Sequence, residues 1–157
     1  LTAQPAISLT IGNNITLIGR TNGEHGANSD NNAGVVFVRN GASFVMLDGS
    51  KITGNTNNVP GVAGNAGAAL TVNTGASFNM QGGTITGNAA VNATADHVGG
   101  VVVRGVNSSF TMSGGAITGN TVGGRQGTPR DVLIHNDNGV TFTQTGGTIR
   151  VLDNRLP

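Results

Sequence analysis

Residues 99–121 read GGVVVRGVNSSFTMSGGAITGNT, and this stretch holds one whole unit of the architecture. An apolar run at 101–103 is followed by Arg104 and a Gly-Val-Asn turn. Phe110 and Met112 then alternate with Ser109 and Thr111. A period of two sends successive side chains to opposite faces of a strand. A Gly-Gly pair introduces a third short segment, 116–118, which closes on Gly119 and Asn120. The unit is therefore three short β segments joined by turns.

The unit recurs. From Gly41 the chain reads GASFVMLDGSKITGN, from Gly75 GASFNMQGGTITGN, from Asn107 NSSFTMSGGAITGN, and from Gly139 GVTFTQTGGTIRVLDN. Ile52, Ile85, Ile117 and Ile149 anchor these stretches at spacings of 33, 32 and 32 residues. Each is preceded by a β-rich run: GVVFV from Gly34, AALTV from Ala68, GVVVR from Gly100 and DVLIH from Asp131. A single turn of this kind cannot bury its inward face, but stacked turns can. The expectation is an all-β solenoid, a right-handed parallel β-helix of about five turns with three short strands per turn, rising roughly 24 Å at about 4.8 Å per turn. One domain, 1–157, holds an irregular N-terminal turn at 1–33 and repeat turns at 34–66, 67–99, 100–130 and 131–157.

Four inward columns follow. Val38, Val72, Val103 and Ile134 form one. Val45, Phe78, Phe110 and Phe142 form a second, with Leu47, Met80, Met112 and Gln144 beside it, and the four isoleucines form the last. An extra residue near Phe44 allows either Phe44 and Met46 or Val45 and Leu47 to face inward; the second pair is the preferred reading. Asn55, Asn88 and Asn120 recur after glycine, where stacked side chains can hydrogen-bond along the stack and satisfy turn backbone. The segments 20–33, 57–67, 89–99 and 121–130 vary in length and sequence, and are expected to leave the rod at one corner.

The pattern FTMSGGAITGNT, with GGVVV before it, resembles the right-handed β-helix repeats of large bacterial surface proteins, among them spirochaete surface antigens and polymorphic outer-membrane, autotransporter-like passengers. The same fold is shared with the pectin-lyase superfamily. The resemblance runs from about Ala6 to Asn154 and implies a fold that hosts lyases, hydrolases, adhesins and phage spikes alike.

Composition narrows the function. Only 10% of residues are charged and the net charge is +1, which argues against a nucleic-acid partner. There is no cysteine, so thiolate chemistry is absent, and no apolar run long enough for a transmembrane helix. The acids Glu24, Asp30, Asp48, Asp96, Asp131, Asp137 and Asp153 fall at different places in the repeat. Glycoside hydrolysis needs two carboxylates facing one bond. His25, His97 and His135 are scattered, whereas a metal site needs three or four converging ligands. GGRQGTPR from Gly123 lacks the Gly-Lys-Ser/Thr ending of a phosphate loop and reads as a plain excursion. No catalytic, cofactor or metal residues are assigned.

Arg39, Asn73, Arg104 and His135 each follow the last inward residue of the first segment. They are expected to project outward in a line, as a solvated edge or a polar groove for acidic glycans or a partner. A second exposed row pairs Lys51-Thr53, Thr84-Thr86, Ala116-Thr118 and Thr148-Arg150; only Thr84-Thr86 is a complete Thr-x-Thr of the kind that can match ice. The sequence thus points to a non-enzymatic secreted or cell-surface module for adhesion, display or self-assembly, extracellular or on the bacterial surface, with itself, a surface glycan or a host protein as partner. A carbohydrate-active β-helix enzyme is the alternative, and an ice-binding protein the third reading.

Overall fold

The computed structural model describes residues 7–20, 33–58, 67–91, 96–123 and 126–157. The regular structure among them is all β, and the strands stack into a parallel solenoid. Three sheets of five strands run the length of the rod. The valine sheet contains Val36–Arg39, Leu70–Asn73, Val101–Arg104, Val132–Ile134 and Leu152–Asn154. The phenylalanine sheet contains Ser8–Ile11, Ser43–Met46, Ser77–Met80, Ser109–Met112 and Thr141–Gln144. The isoleucine sheet contains Thr16–Ile18, Lys51–Thr53, Thr84–Thr86, Ala116–Ile117 and Thr148–Ile149. About four turns are formed, not the five expected from the sequence. The first described turn supplies strands to two of the sheets, and Leu152–Asn154 is one further strand on the valine sheet.

A fourth, narrower sheet was not anticipated. Thr56–Asn57, Ala89–Ala90 and Thr121–Val122 stack in parallel, and Thr128–Pro129 closes the edge by pairing antiparallel to Thr121–Val122. The segments 57–67, 89–99 and 121–130 leave from this sheet and rejoin at the valine sheet. Its strand register and that of the valine sheet therefore put their exits and returns at one corner. Most of 20–33, and residues 59–66, 92–95 and 124–125, lie outside the described residues.

The core is narrow because the columns are continuous. Phe44, Phe78, Phe110 and Phe142 stack with ring centroids 5.6, 4.8 and 5.2 Å apart. The parallel strand spacing of about 4.8 Å sets this distance. Met46, Met80 and Met112 lie beside them, and Ile52, Ile85 and Ile117 fill the opposite wall, all buried. Val38, Val72, Val103 and Ile134 form the third wall as expected.

The choice of Val45 and Leu47 is overturned. Phe44 pairs with Phe78 and Met46 with Met80, so the extra residue sits in the corner at 47–50 rather than in the strand. A turn absorbs one more residue locally, whereas a one-residue slip in a strand turns every side chain to the wrong face. At the C-terminal end the columns thin out. Phe142 is only partly buried, and Gln144, expected inward, is exposed and donates to the Gly147 carbonyl at 3.3 Å.

The three middle strands of the valine sheet are buried on both faces. Val102 and Leu133 point away from the main core, yet pack with Val98, which returns from the excursion before them. This accounts for the unbroken apolar runs VVV and VLI where a one-sided strand would alternate.

Candidate functional site

The row Arg39, Asn73, Arg104 and His135 is formed as a line. Arg39 pairs with Asn73 and Asn73 with Arg104, and the His135 N–H donates to the Val103 carbonyl one turn back. The line is not uniform. Arg39 is exposed, with its guanidinium carbon 5.6 Å above the Phe37 ring, while Asn73, Arg104 and His135 are half-buried.

His135 belongs to an ionic cluster. Its Nδ1 lies 3.1 Å from Asp137 Oδ1 and its Nε2 3.7 Å from Asp96 Oδ1. Arg155 bridges Asp96 at 2.8 Å and Asp153 at 3.1 Å. Arg130 joins the Asp153 carboxylate at 2.9 Å and donates to the His97 carbonyl at 3.1 Å. Asp137 accepts the Gly105 N–H at 2.6 Å. Residues 23 to 59 positions apart in sequence are thus drawn together on the outside of the last turns.

These contacts set the protonation states. The Arg155 hydrogen bond holds the Asp96 carboxyl below the ordinary aspartate range, against the opposing effect of burial. The Gly105 N–H does the same for Asp137, with His135 adding to it. Burial pushes Asp153 up, but hydrogen bonds from Arg155 and Arg130 together outweigh it. Arg155 is correspondingly held charged, chiefly by its bond to Asp96. His97, fully buried, is pushed toward its neutral form by desolvation.

A second polar system runs inside the corner. The Arg20 N–H donates to Asn55 Oδ1 at 2.9 Å, the Asn55 N–H to Asn88 Oδ1 at 3.1 Å, and the Asn88 N–H to Asn120 Oδ1 at 3.2 Å. Each side-chain Nδ2 donates to a backbone carbonyl: Asn55 to Ala68, Asn88 to Ile52, Asn120 to Ile85. The ladder read from the sequence is therefore structural, and it satisfies buried backbone that the turns would otherwise strand.

The fourth turn has no asparagine at this place; it reads IRVLDN. Asp131 takes the role from a different position in the chain. Its Oδ1 accepts the Asn120 N–H at 2.9 Å and Nδ2 at 3.0 Å. Its Oδ2 accepts Arg150 Nε and the Val151 N–H, both at 3.1 Å. Asp131 is fully buried and all these donors converge on it.

Among the described residues no three His, Asp or Glu side chains converge on a possible metal position. Asp96 and Asp153 are brought together by Arg155, a pairing that no spacing in the repeat signals, while Asp131 lies apart in the ladder. Glu24, His25 and Asp30 lie outside the described residues. The exposed row on the isoleucine sheet is in register as Thr16, Lys51, Thr84, Ala116 and Thr148. Comparison with protein-family models, characterised proteins and solved structures found no match to the chain.

Proposed function

We propose that the chain is a non-enzymatic module of a secreted or cell-surface protein, a rigid rod that presents its variable segments to a partner. The carrying observation is the division of labour in each turn. Three strands keep strict register through the rod, and the longest connections, 58–69, 91–100 and 123–131, all run from the short sheet to the valine sheet. In solenoids, insertions on one side form the binding surface. The similarity of the repeat to those of bacterial surface proteins supports the same reading and an extracellular location. The partner is a surface glycan, a host protein or another copy of the chain.

The carbohydrate-active alternative has less support. A general acid needs a carboxyl kept protonated near neutral pH. Asp96, Asp137 and Asp153 are instead held ionised, and Asp131 already receives four hydrogen bonds. Ice binding needs a regular threonine lattice, and Lys51 and Ala116 interrupt the row. The test is to incubate the chain with a panel of immobilised polysaccharides and glycoproteins, measuring retention and bond cleavage on the same samples. Saturable retention with no new reducing ends or unsaturated sugars is expected. Release of either product would overturn the reading.

A further inference from the structure

One corner of the rod breaks the repeat. Between the phenylalanine and isoleucine sheets, three turns use three residues ending in Gly-Gly: Gln81-Gly82-Gly83, Ser113-Gly114-Gly115 and Thr145-Gly146-Gly147. The first and second turns use four: Gly12-Asn13-Asn14-Ile15 and Leu47-Asp48-Gly49-Ser50. Gly83 and Gly115 have φ of +78° and +81°, and a Cβ on Gly83 would come within 2.4 Å of Ser50 Oγ. The corner is thus obliged to stay bare of side chains in the later turns. The inserted residue raises a wall beside that bare floor.

The result is an open trough of about 540 Å³. Asn14, Thr16, Asp48, Lys51 and Thr84 line it, over a floor of Gly83 and Gly115. Because Thr16, Lys51, Thr84 and Ala116 are register partners, it runs along the stacking direction across four successive turns. Three strand intervals make its length roughly 14 Å.

Its two charged groups are unengaged. Among the described residues, Asp96, Asp131, Asp137 and Asp153 each bind an arginine, a histidine or backbone N–H groups. The side chains of Asp48 and Lys51 make no hydrogen bond or ion pair among the described residues, although the two share the trough. No aromatic ring lines it, so planar rings find no stacking surface. Hydroxyls, a carboxamide, one acceptor-only carboxylate and one ammonium suit a hydrated, non-planar ligand with many hydroxyls.

We propose that this trough binds an oligosaccharide carrying one carboxylate. Lys51 meets the carboxylate in a charge-assisted hydrogen bond, and Asp48 accepts from sugar hydroxyls. Thr16, Thr84 and Asn14 provide the neutral contacts along the floor. The site lies at a different corner from the variable segments, and it stands or falls independently of the scaffold reading above.

The experiment titrates the isotope-labelled full chain with sialyllactose, which bears a single carboxylate, and with neutral lactose, following backbone amides by NMR. Saturable shifts at Gly83, Thr84, Gly115 and Ala116 are expected with sialyllactose. Lys51→Met, on a half-exposed side chain with no internal partner, should weaken binding by about tenfold or more. Lactose should bind the wild-type chain more weakly by a similar factor. Asp48→Asn should weaken both sugars. Absence of shifts, shifts confined to another surface, binding unchanged by Lys51→Met, or equal binding of the two sugars would each overturn the proposal.

Discussion

The first and last described turns handle the same problem differently. At the N-terminal end the first strands of the phenylalanine and isoleucine sheets show apolar side chains to solvent: Ile7 is 76% exposed, Leu9 50% and Ile18 74%. At the C-terminal end, ladder and short sheet are closed by side-chain charge and a hairpin. Asp131 terminates the asparagine ladder, Thr128–Pro129 covers the edge of the short sheet, and Arg155 fastens Asp96 to Asp153. Between the ends the ladder is neutral. The difference follows from what each side chain can do. A carboxamide both accepts and donates, so it can relay a hydrogen bond from turn to turn; a carboxylate only accepts, so it can only end the relay.

The largest expected effect separates the middle of the rod from its closed end. Phe78→Ala removes a fully buried ring between two neighbours and should cost about 3–5 kcal/mol. Phe142→Ala, half-buried with one ring neighbour, should cost roughly half that. Chemical denaturation of both variants measures the ratio, and equal losses would show that the last turn is as well packed as the centre.

Next comes the ladder's end. Asp131→Ala leaves the Asn120 N–H and Val151 N–H buried without an acceptor and should cost about 3 kcal/mol. Asp131→Asn keeps one acceptor oxygen but turns a donor toward Arg150 and Val151, so an intermediate loss is expected. An Asn variant as stable as the wild type would show that the end needs no anion.

The outer cluster should matter less and depend on pH. Arg155→Ala should cost about 1 kcal/mol or less, as for other partly exposed ion pairs. Asp96, Asp137 and Asp153 have folded-state values lowered from the ordinary aspartate value. Their contribution is therefore complete above that value and is lost as the pH falls through the lowered ones. Hydrogen exchange at strongly acid pH should accelerate at Leu152–Asn154 before it does at Ser77–Met80. Simultaneous loss at both would assign no local role to the cluster.

The smallest effect lies at the apolar end. Ile18→Lys should change stability by no more than about 0.5 kcal/mol, because the side chain is already in water. If copies of the chain meet through this end, the same variant should lower self-association in sedimentation. An unchanged sedimentation profile at high concentration would assign the apolar groups no part in assembly.

The fold was legible because phenylalanine and isoleucine recur at near-constant spacing and alternate with polar residues. What misled the register at Phe44 was a single inserted residue, which the preferred reading placed in the strand while the chain confines it to a corner. The short fourth sheet escaped notice because two-residue strands show no alternation. The asparagine ladder could be read from ITGN, ITGN and ITGN. Its end could not, because Asp131 precedes a strand while its predecessors follow one. The only trace was the missing asparagine in IRVLDN, which left Asn120 in need of an acceptor. The Asp96–Arg155 pair depends on how an excursion folds back, and nothing local in the sequence encodes that.

The ladder also constrains how such a protein can change length. Each asparagine presents its side-chain oxygen backward and its backbone N–H forward, so the interior turns have interchangeable upper and lower faces. A duplicated 32-residue segment inserted between Asn88 and Asn120 would find matching partners on both sides. A copy placed beyond Asp131 would meet a carboxylate whose acceptor sites are already taken. Duplication can therefore lengthen the ladder from within, while Asp131 still ends the relay.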